Sequence, residues 1–270
     1  MKQTLITVAA IQMVSTAVLA ENFASAKSLI ADAVHQGAQL VLLPEYWPIM
    51  GLQELDKLGF AEQVDDVGPI QTFMSSLARE HKIWLIGGTL PMASGVPDKI
   101  LNTTMVYNPQ GERVVRYDKI HLFSFTKGGE SYDEARTIVH GNDVTTFEAP
   151  FGRVGLSVCY DLRFPELYRA MGDCALIVVP AAFTYTTGRA HWEILLRARA
   201  IENQCYVLAS AQGGQHQNGR RTWGHSMLID PWGEIQAVLP EGEGVIIGEI
   251  ETDHLHLIRE NLPALKHRKL

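Results

Sequence analysis

Short apolar segments alternate with helical patterns along this chain, and that alternation most constrains its fold. Leu40-Val41-Leu42-Leu43 follows an amphipathic segment at 22–35, and another apolar segment at 83–90 follows a helical pattern at 69–81. Strands that alternate with helices predict a sheet covered by helices. Strand patterns on both sides of Pro109-Gln110-Gly111 predict a hairpin, which argues against a purely parallel sheet. We therefore expect a layered α/β fold with mixed strand pairing.

The other expected elements continue this pattern. The first strand is predicted at Thr4–Met13, and a long irregular stretch at Leu122–Asp143. Irregular stretches of this length are typical of binding loops or lids. The second half adds a strand at 175–179, a helix at 190–203, a strand at 205–211, a hairpin around 231–233 and a last helix from about Asp253. No Pro/Gly/Ser-rich linker interrupts the chain, so we expect residues 1–270 to form a single domain.

Composition and charge narrow the class of protein. The chain is 46% hydrophobic and 20% charged, which is typical of a globular protein, and its net charge of −7 argues against nucleic acid as a partner. The first twenty residues superficially resemble a secretory signal, but polar residues interrupt the apolar run. No segment is long and apolar enough to span a bilayer, so we expect no membrane partner.

The cysteines indicate a reducing compartment. Cys159, Cys174 and Cys205 are too few and too scattered for a disulfide framework, and their spacing does not match a metal site. Such a pattern fits the cytoplasm.

One of these cysteines lies where an apolar strand meets the start of a helix. Apolar side chains alternate through 153–158, Cys159 follows, and Pro165 suits the first turn of a helix. A thiol facing a helix N-terminus meets unpaired N–H groups, so we expect a lowered pKa and a reactive thiolate. A free cysteine is also commonly a small buried hydrophobe, and position alone leaves both interpretations open.

Two other charged residues share the placement of Cys159. Glu45 follows the apolar strand at 40–43, and Lys119 follows the strand after the predicted hairpin. A single charged residue past a strand is usually just returning to solvent. A carboxylate, an ammonium and a thiol at neighbouring strand ends instead supply a base, an oxyanion stabiliser and a nucleophile.

The segments around these three residues resemble the signature segments of the nitrilase superfamily, the carbon–nitrogen hydrolases. They are residues 43–45, 117–123 and 155–167, with further matches at 187–193, 197–203, 224–226 and 230–233. The resemblance is strongest to the Nit branch. It implies a single-domain α-β-β-α sandwich, usually paired across its helical face with a second subunit, and hence a homodimer or higher homo-oligomer.

The resemblance also implies roles for individual residues. The catalytic glutamate, lysine and cysteine fall on Glu45, Lys119 and Cys159, and a second glutamate falls on Glu134, with Glu130 as the alternative. Glu45 is then the general base, Lys119 and the backbone N–H of Tyr160 hold the oxyanion, and a thioester forms on Cys159. Such chemistry needs no metal or organic cofactor.

Substrate binding is expected next to the nucleophile. Arg163 is either a surface charge or, as in the Nit branch, the group that binds the carboxylate of a 2-oxo acid, and Thr187 is a further candidate. His121, His191 and His225 lie in matched segments, and we interpret them as structural hydrogen-bonding residues.

The expected activity is that of a cysteine amidase acting on a 2-oxo dicarboxylic monoamide. The resemblance implies deaminated glutathione as the leading substrate, which would yield 2-oxoglutarate and cysteinylglycine. The similarity includes the region Ala211–Ser226, where Arg220 and Arg221 can meet the distal carboxylate of that substrate. The alternatives are 2-oxoglutaramate, which an ω-amidase hydrolyses, and N-carbamoyl amides. A non-catalytic binding protein on the same fold is the alternative from another class.

Overall fold

The computed structural model describes residues 5–269, and its strands form two mixed sheets and a separate hairpin. The strands are, in chain order, β1 (Leu5–Gln12), β2 (Leu40–Leu42), β3 (Trp84–Ile86), β4 (Leu90–Ala93), β5 (Ile100–Tyr107), β6 (Arg113–Asp118), β7 (Ser124–Lys127), β8 (Glu130–Asp133), β9 (Ile138–Val139), β10 (Thr146–Ala149), β11 (Gly152–Leu156), β12 (Leu176–Ala181), β13 (Tyr206–Ala211), β14 (Ser226–Ile229), β15 (Ile235–Leu239) and β16 (Gly244–Glu251).

Helices connect and cover the sheets. The α-helices are α1 (Leu19–His35), α2 (Pro69–His81), α3 (Pro165–Ala170), α4 (Tyr185–Asn203) and α5 (Thr252–Asn261). Short 3₁₀ helices lie at Glu54–Phe60, Glu134–Arg136, Cys159–Arg163 and Ala264–His267.

The two sheets have a similar arrangement of strands. The first has the order β16-β1-β2-β3-β5-β4, with β6 and β9 also paired to β5, and the second has the order β10 to β15. In each sheet a parallel trio, β1-β2-β3 or β11-β12-β13, is flanked by antiparallel strands. Parallel neighbours need a crossover connection, which α1 and α2 supply in the first sheet and α3 and α4 in the second.

Side-chain alternation in the central strands builds the layers. In β2 and the residue after it, Leu40 and Leu42 belong to the core between the two sheets, whereas Val41 and Leu43 pack with the apolar sides of α1 and α2. Leu196 of α4 packs against the second sheet. The central strands β2, β12 and β13 are buried throughout, as parallel strands covered on both sides must be. The fold is therefore the expected α-β-β-α sandwich.

Several element predictions are confirmed. Helix α2 spans the predicted 69–81, and β5 and β6 form the predicted hairpin, with Gly111 at a φ of 78°. The expected first strand is present as β1, but Thr4, its predicted first residue, lies outside the described residues.

Other predictions were wrong in extent. Helix α4 begins at Tyr185 rather than 190, because the Thr184 side chain caps it by accepting a hydrogen bond from the Thr187 N–H at 3.3 Å. The stretch at 122–143 is not irregular, since it contains β7, β8 and β9. Most residues of the β7–β8 hairpin are partly or fully exposed, so it lacks the apolar alternation that marks a half-buried strand. Strand β16, paired with β1, was not predicted.

The topology brings several strand ends to one edge of the sandwich. Strand β6 is antiparallel to β5 and β5 is antiparallel to β3, so β6 points the same way as β2. A parallel bridge between Met13 and Gln212, just beyond β1 and β13, joins the same ends of the two sheets. The carboxyl ends of β2, β6, β11 and β12 therefore meet.

Candidate active site

The three residues singled out at strand ends lie together at this edge. Glu45 follows β2 and Lys119 follows β6, and both are 0% exposed, while Cys159 follows β11 and is 6% exposed. Gly88 lies against the backbone just before Glu45 with a φ of 52°, and a Cβ there would collide with the carbonyls of Leu43 and Pro44. Only glycine fits that close approach without strain.

A buried ion-pair network centres on Lys119. Its Nζ donates to Glu45 Oε1 at 2.9 Å and to Glu134 Oε1 and Oε2 at 3.0 and 2.8 Å. The Glu45 carboxylate also accepts from Asn102 Nδ2 at 2.9 Å and from the backbone N–H of Ala182 at 2.8 Å. These bonds hold a carboxylate and an ammonium in fixed positions without contact with solvent.

Of the two alternative glutamates, Glu134 is the one that contacts Lys119. Its carboxylate also accepts from the Tyr46 hydroxyl at 2.8 Å and from the backbone N–H of Phe123 at 2.7 Å. Glu130 instead accepts from the Thr186 hydroxyl at 3.0 Å. Asn102 and Tyr46 were missed in the sequence, although Tyr46 directly follows Glu45.

Charge pairing decides the ionisation of this network. Burial by itself raises the pKa of Glu134, but the Lys119 ammonium, together with the hydrogen bonds from the Phe123 N–H and the Tyr46 hydroxyl, outweighs burial and lowers it. Burial by itself lowers the pKa of Lys119, but the carboxylates of Glu134 and Glu45 outweigh burial and raise it. The pair is therefore ionised at neutral pH.

Cys159 lies in a sharp turn that Asp161 stabilises. Cys159 opens a 3₁₀ helix with a φ of 50°, a left-handed conformation that few non-glycine residues adopt. The buried Asp161 carboxylate accepts from the Val158 N–H at 2.8 Å, the Tyr117 hydroxyl at 2.7 Å and the His121 N–H at 2.9 Å. Asp161 thereby links the turn of the thiol to the strand that carries Lys119. It lies two residues beyond Cys159 in a matched segment, but its role was not predicted from the sequence.

The expected lowering of the Cys159 pKa was wrong. Burial raises the pKa of the thiol well above its ordinary value, the Glu45 carboxylate raises it further, and the Lys119 ammonium only partly offsets them. The helix that follows has just 6 residues, so its dipole is weak, and the thiol lies out of solvent. The thiol is protonated at rest and needs a base to react.

Two of the expected substrate-binding residues, Tyr160 and Thr187, line a narrow cavity at the thiol. This cavity measures about 10 Å³ and is lined by Cys159, Tyr160, Thr187, Phe123, Ala182, Phe183 and Thr184. The guanidinium of Arg163 lies 5.6 Å from the ring centre of Tyr160 and 5.4 Å from that of Phe183. Thr187 lies in the first turn of α4, and its hydroxyl is 2.9 Å from that of Thr184. Arg163 therefore lies beside two walls of the cavity.

The three histidines of the matched segments make hydrogen bonds. His121 Nδ1 lies 2.7 Å from Asp161, His191 Nδ1 lies 3.2 Å from Arg163 Nη1, and His225 Nδ1 lies 2.9 Å from the carbonyl oxygen of Trp223.

Between residues 5 and 269, no group of three or more His, Cys, Asp and Glu side chains is arranged to hold a metal ion. In the same part of the chain, no helix combines the length and apolar character needed to cross a bilayer.

Comparison with known proteins identifies the family. The sequence model of the carbon–nitrogen hydrolase family matches residues 7–260, and the chain belongs to that family. A deaminated glutathione amidase of Synechocystis sp. is 42% identical over 266 residues, which cover 96% of this chain and 97% of that protein. The omega-amidase NIT2 of Mus musculus is 36% identical over 273 residues, which cover 97% of this chain and 94% of that protein.

A solved structure supports the same placement. The crystal structure of Nit3 from Saccharomyces cerevisiae, a member of branch 10 of the nitrilase superfamily, matches with a TM-score of 0.88 and 31% identity, covering 98% of this chain and 97% of that one. The resemblance found in the sequence is confirmed. The chain is a hydrolase of carbon–nitrogen bonds other than peptide bonds, and its substrate is a small-molecule amide.

Proposed function

We propose that this hydrolase converts deaminated glutathione to 2-oxoglutarate and cysteinylglycine through a thioester on Cys159. The observation that carries the proposal is the buried Lys119, held between Glu45 and Glu134 near a protonated thiol. The 42% identity with a deaminated glutathione amidase supports this substrate, against 36% for an omega-amidase.

The first half-reaction forms the thioester. Glu45 takes the proton of Cys159 as the sulfur attacks the amide carbon, because the high pKa of the thiol leaves little thiolate at rest. Lys119 and the backbone N–H of Tyr160 donate to the oxyanion. The carbon–nitrogen bond then breaks, Glu45 returns the proton to the departing amine, and the acyl group stays on Cys159.

The second half-reaction releases the acid. Glu45 takes a proton from water as the water oxygen attacks the thioester carbon, and the proton returns to the sulfur when the carbon–sulfur bond breaks. Glu134 keeps Lys119 in position throughout by accepting from its ammonium with both oxygens.

The acyl group that suits this site is a 2-oxo acid with a free carboxylate. The guanidinium of Arg163 lies beside Tyr160 and Phe183, which line the cavity at the thiol. A guanidinium can bind a carboxylate through two parallel hydrogen bonds. Thr187 lines the same cavity. These residues would bind the carboxylate of the 2-oxoglutaryl group.

The second candidate substrate is 2-oxoglutaramate, which carries the same acyl group and releases ammonia. The 36% identity with omega-amidase NIT2 over 97% of this chain favours it as the alternative. Turnover of the two substrates should be measured side by side. A higher kcat/KM for deaminated glutathione supports the proposal, a higher value for 2-oxoglutaramate supports the alternative, and hydrolysis of neither contradicts both.

We also propose the domain organisation, the oligomeric state and the compartment of the enzyme. Residues 1–270 would act as one carbon–nitrogen hydrolase domain that pairs across its helical face into a homodimer or higher homo-oligomer in the cytoplasm. The three free cysteines fit a reducing compartment. Light scattering of the purified protein tests the oligomer, and a monomeric mass would contradict it.

A further inference from the structure

A second, larger cavity adjoins the active site. Its lining residues have no assigned step in the proposed reaction. It measures about 390 Å³, within the range of roughly 300–1,000 Å³ that is common for small-molecule pockets. Its lining includes Tyr46, Lys57, Glu130, Tyr132 and Arg220.

Two of the lining residues connect this cavity to the nucleophile. Tyr46 donates to Glu134 at 2.8 Å, and Arg220 Nη2 donates to the carbonyl oxygen of Ala182 at 2.8 Å. The N–H of Ala182 donates to Glu45, and Ala182 lines the cavity of Cys159. A ligand in the larger cavity therefore lies next to the reacting groups.

Arg220 has hydrogen-bonding capacity that the protein leaves unused. Its Nε is buried and has no hydrogen-bond partner, and its guanidinium lies 5.1 Å from the ring centre of Tyr132. Within residues 5–269, Arg220 forms no ion pair. A buried donor without a partner destabilises a fold, so its presence beside a cavity points to a ligand that supplies an acceptor.

The other charged residues of the cavity narrow the chemistry of that ligand. Lys57 is paired with Glu54 at 3.2 Å. Glu130 uses one oxygen to accept from Thr186, while its Oε2 is buried and has no partner. The cavity thus offers an unused cationic donor and an unused acceptor, which match a group that carries a carboxylate and an N–H.

We propose that this cavity binds the leaving group of the substrate, with Arg220 on its terminal carboxylate and Glu130 on the N–H of its peptide bond. The inference rests on the proposed function, and it identifies the residues that select 2-oxo acyl amides whose leaving amine is a short peptide with a free carboxylate. Arg163 and Arg220 then bind the two ends of one substrate, on either side of the bond that Cys159 cleaves.

Three amides that share the 2-oxoglutaryl group test this assignment. Their leaving groups are ammonia, cysteinylglycine and cysteinylglycinamide, which lacks only the carboxylate charge. The wild type should favour the carboxylate over the carboxamide by roughly 10- to 100-fold in kcat/KM, as expected for a charge-assisted pair. Arg220→Met should bring that ratio close to one, and Arg220→Lys should retain part of it.

Arg221→Met tests the other arginine that was expected to meet the distal carboxylate, which lines neither cavity. Arg221 is the neighbouring arginine, but it is exposed, pairs with Glu241 at 2.7 Å and lies over the ring of Tyr185. This variant should keep the wild-type ratio. Circular dichroism identifies any Arg220 variant that fails to fold, and Arg220→Gln then replaces it.

Two results would overturn the inference. One is an Arg220→Met variant that keeps the preference for the carboxylate. The other is a variant in which kcat/KM falls by the same factor for all three amides, which would show that Arg220 only supports the Ala182 carbonyl. Failure of the proposed function is a different result, namely a wild type that hydrolyses none of the three amides. Calorimetric binding of cysteinylglycine to the wild type and to Arg220→Met then decides the inference: binding that needs Arg220 supports it, and absent or unchanged binding refutes it.

Discussion

Replacing Lys119 by methionine tests the buried network most severely. Lys119 is 0% exposed, and its ammonium donates to Glu45 and to both oxygens of Glu134. Methionine fills similar space without a charge. Lys119→Met therefore leaves two buried carboxylates without their shared cation and removes a proposed oxyanion donor.

The size of both effects follows from this geometry. Removing one partner of a buried ion pair typically costs about 3–5 kcal/mol of unfolding free energy, because the remaining charge stays buried. In a protein of this size that corresponds to a fall in Tm of roughly 6–20 °C. Loss of one oxyanion donor lowers kcat by roughly 10²–10³-fold.

The stability effect should also depend on pH with a definite sign. In the wild type the pKa of Glu134 is lowered, so its contribution to stability is present above the unfolded pKa and is lost as pH falls through the folded value. In Lys119→Met the lowering effect of the ammonium is gone, while burial, the largest cause, still raises that pKa, so it lies higher than in the wild type and acid relieves part of the penalty by protonating the carboxylate. The gap in unfolding free energy between wild type and variant should shrink from pH 7 to pH 5.

Urea unfolding at both pH values and initial rates with deaminated glutathione measure these effects. Lys27→Met is a matched control, because Lys27 is an exposed lysine on α1. A Lys119→Met variant that is as stable as the control at pH 7 would refute the reasoning about buried charge. Near-full turnover would refute the oxyanion role.

Three further perturbations address separate parts of the site. Arg163→Met should lower kcat/KM by roughly 10- to 100-fold for amides with an acyl carboxylate and far less for a small neutral amide, and equal losses would contradict carboxylate binding. Because the pKa of Cys159 is raised, inactivation by iodoacetamide should accelerate from pH 7 to pH 9, with label on Cys159 before Cys174 or Cys205. An inactivation rate that does not change with pH would contradict this. Asp161→Ala leaves the donors that Asp161 satisfies without a partner, at a cost of about 1–3 kcal/mol of unfolding free energy each. Urea unfolding should therefore show a loss of stability, and turnover should fall. Wild-type values of both would show that the turn holds without Asp161.

The placement of Glu45 and Cys159 was predictable because each follows a short apolar strand, and that of Lys119 because it follows the second strand of the predicted hairpin. The side-chain pattern fixes where β2 and β11 end, and a polar residue at that point must lie at an edge of the sheet. The contacts of Glu45 were not predictable. One of them is the backbone N–H of Ala182, which leaves no side-chain signal and reaches Glu45 only because the two sheets pack together.

The electrostatics of Cys159 show a second limit of local sequence patterns. The start of a helix after the cysteine indicated a lowered pKa, but burial and the charge of Glu45, both consequences of tertiary packing, raise it. The hairpin β7–β8 was missed for a related reason, since mostly exposed strands carry no apolar period. The unused Nε of Arg220 likewise becomes visible only in the folded chain.

The thioester on Cys159 is the central claim, and peptide mapping of the acid-quenched enzyme tests it most directly. The enzyme would be mixed with saturating deaminated glutathione, quenched in acid during the first turnovers, digested and examined by mass spectrometry. We expect a 2-oxoglutaryl group on the peptide that contains Cys159 and none on the peptides that contain Cys174 and Cys205. A 2-oxoglutaryl group on any residue other than Cys159 would contradict it.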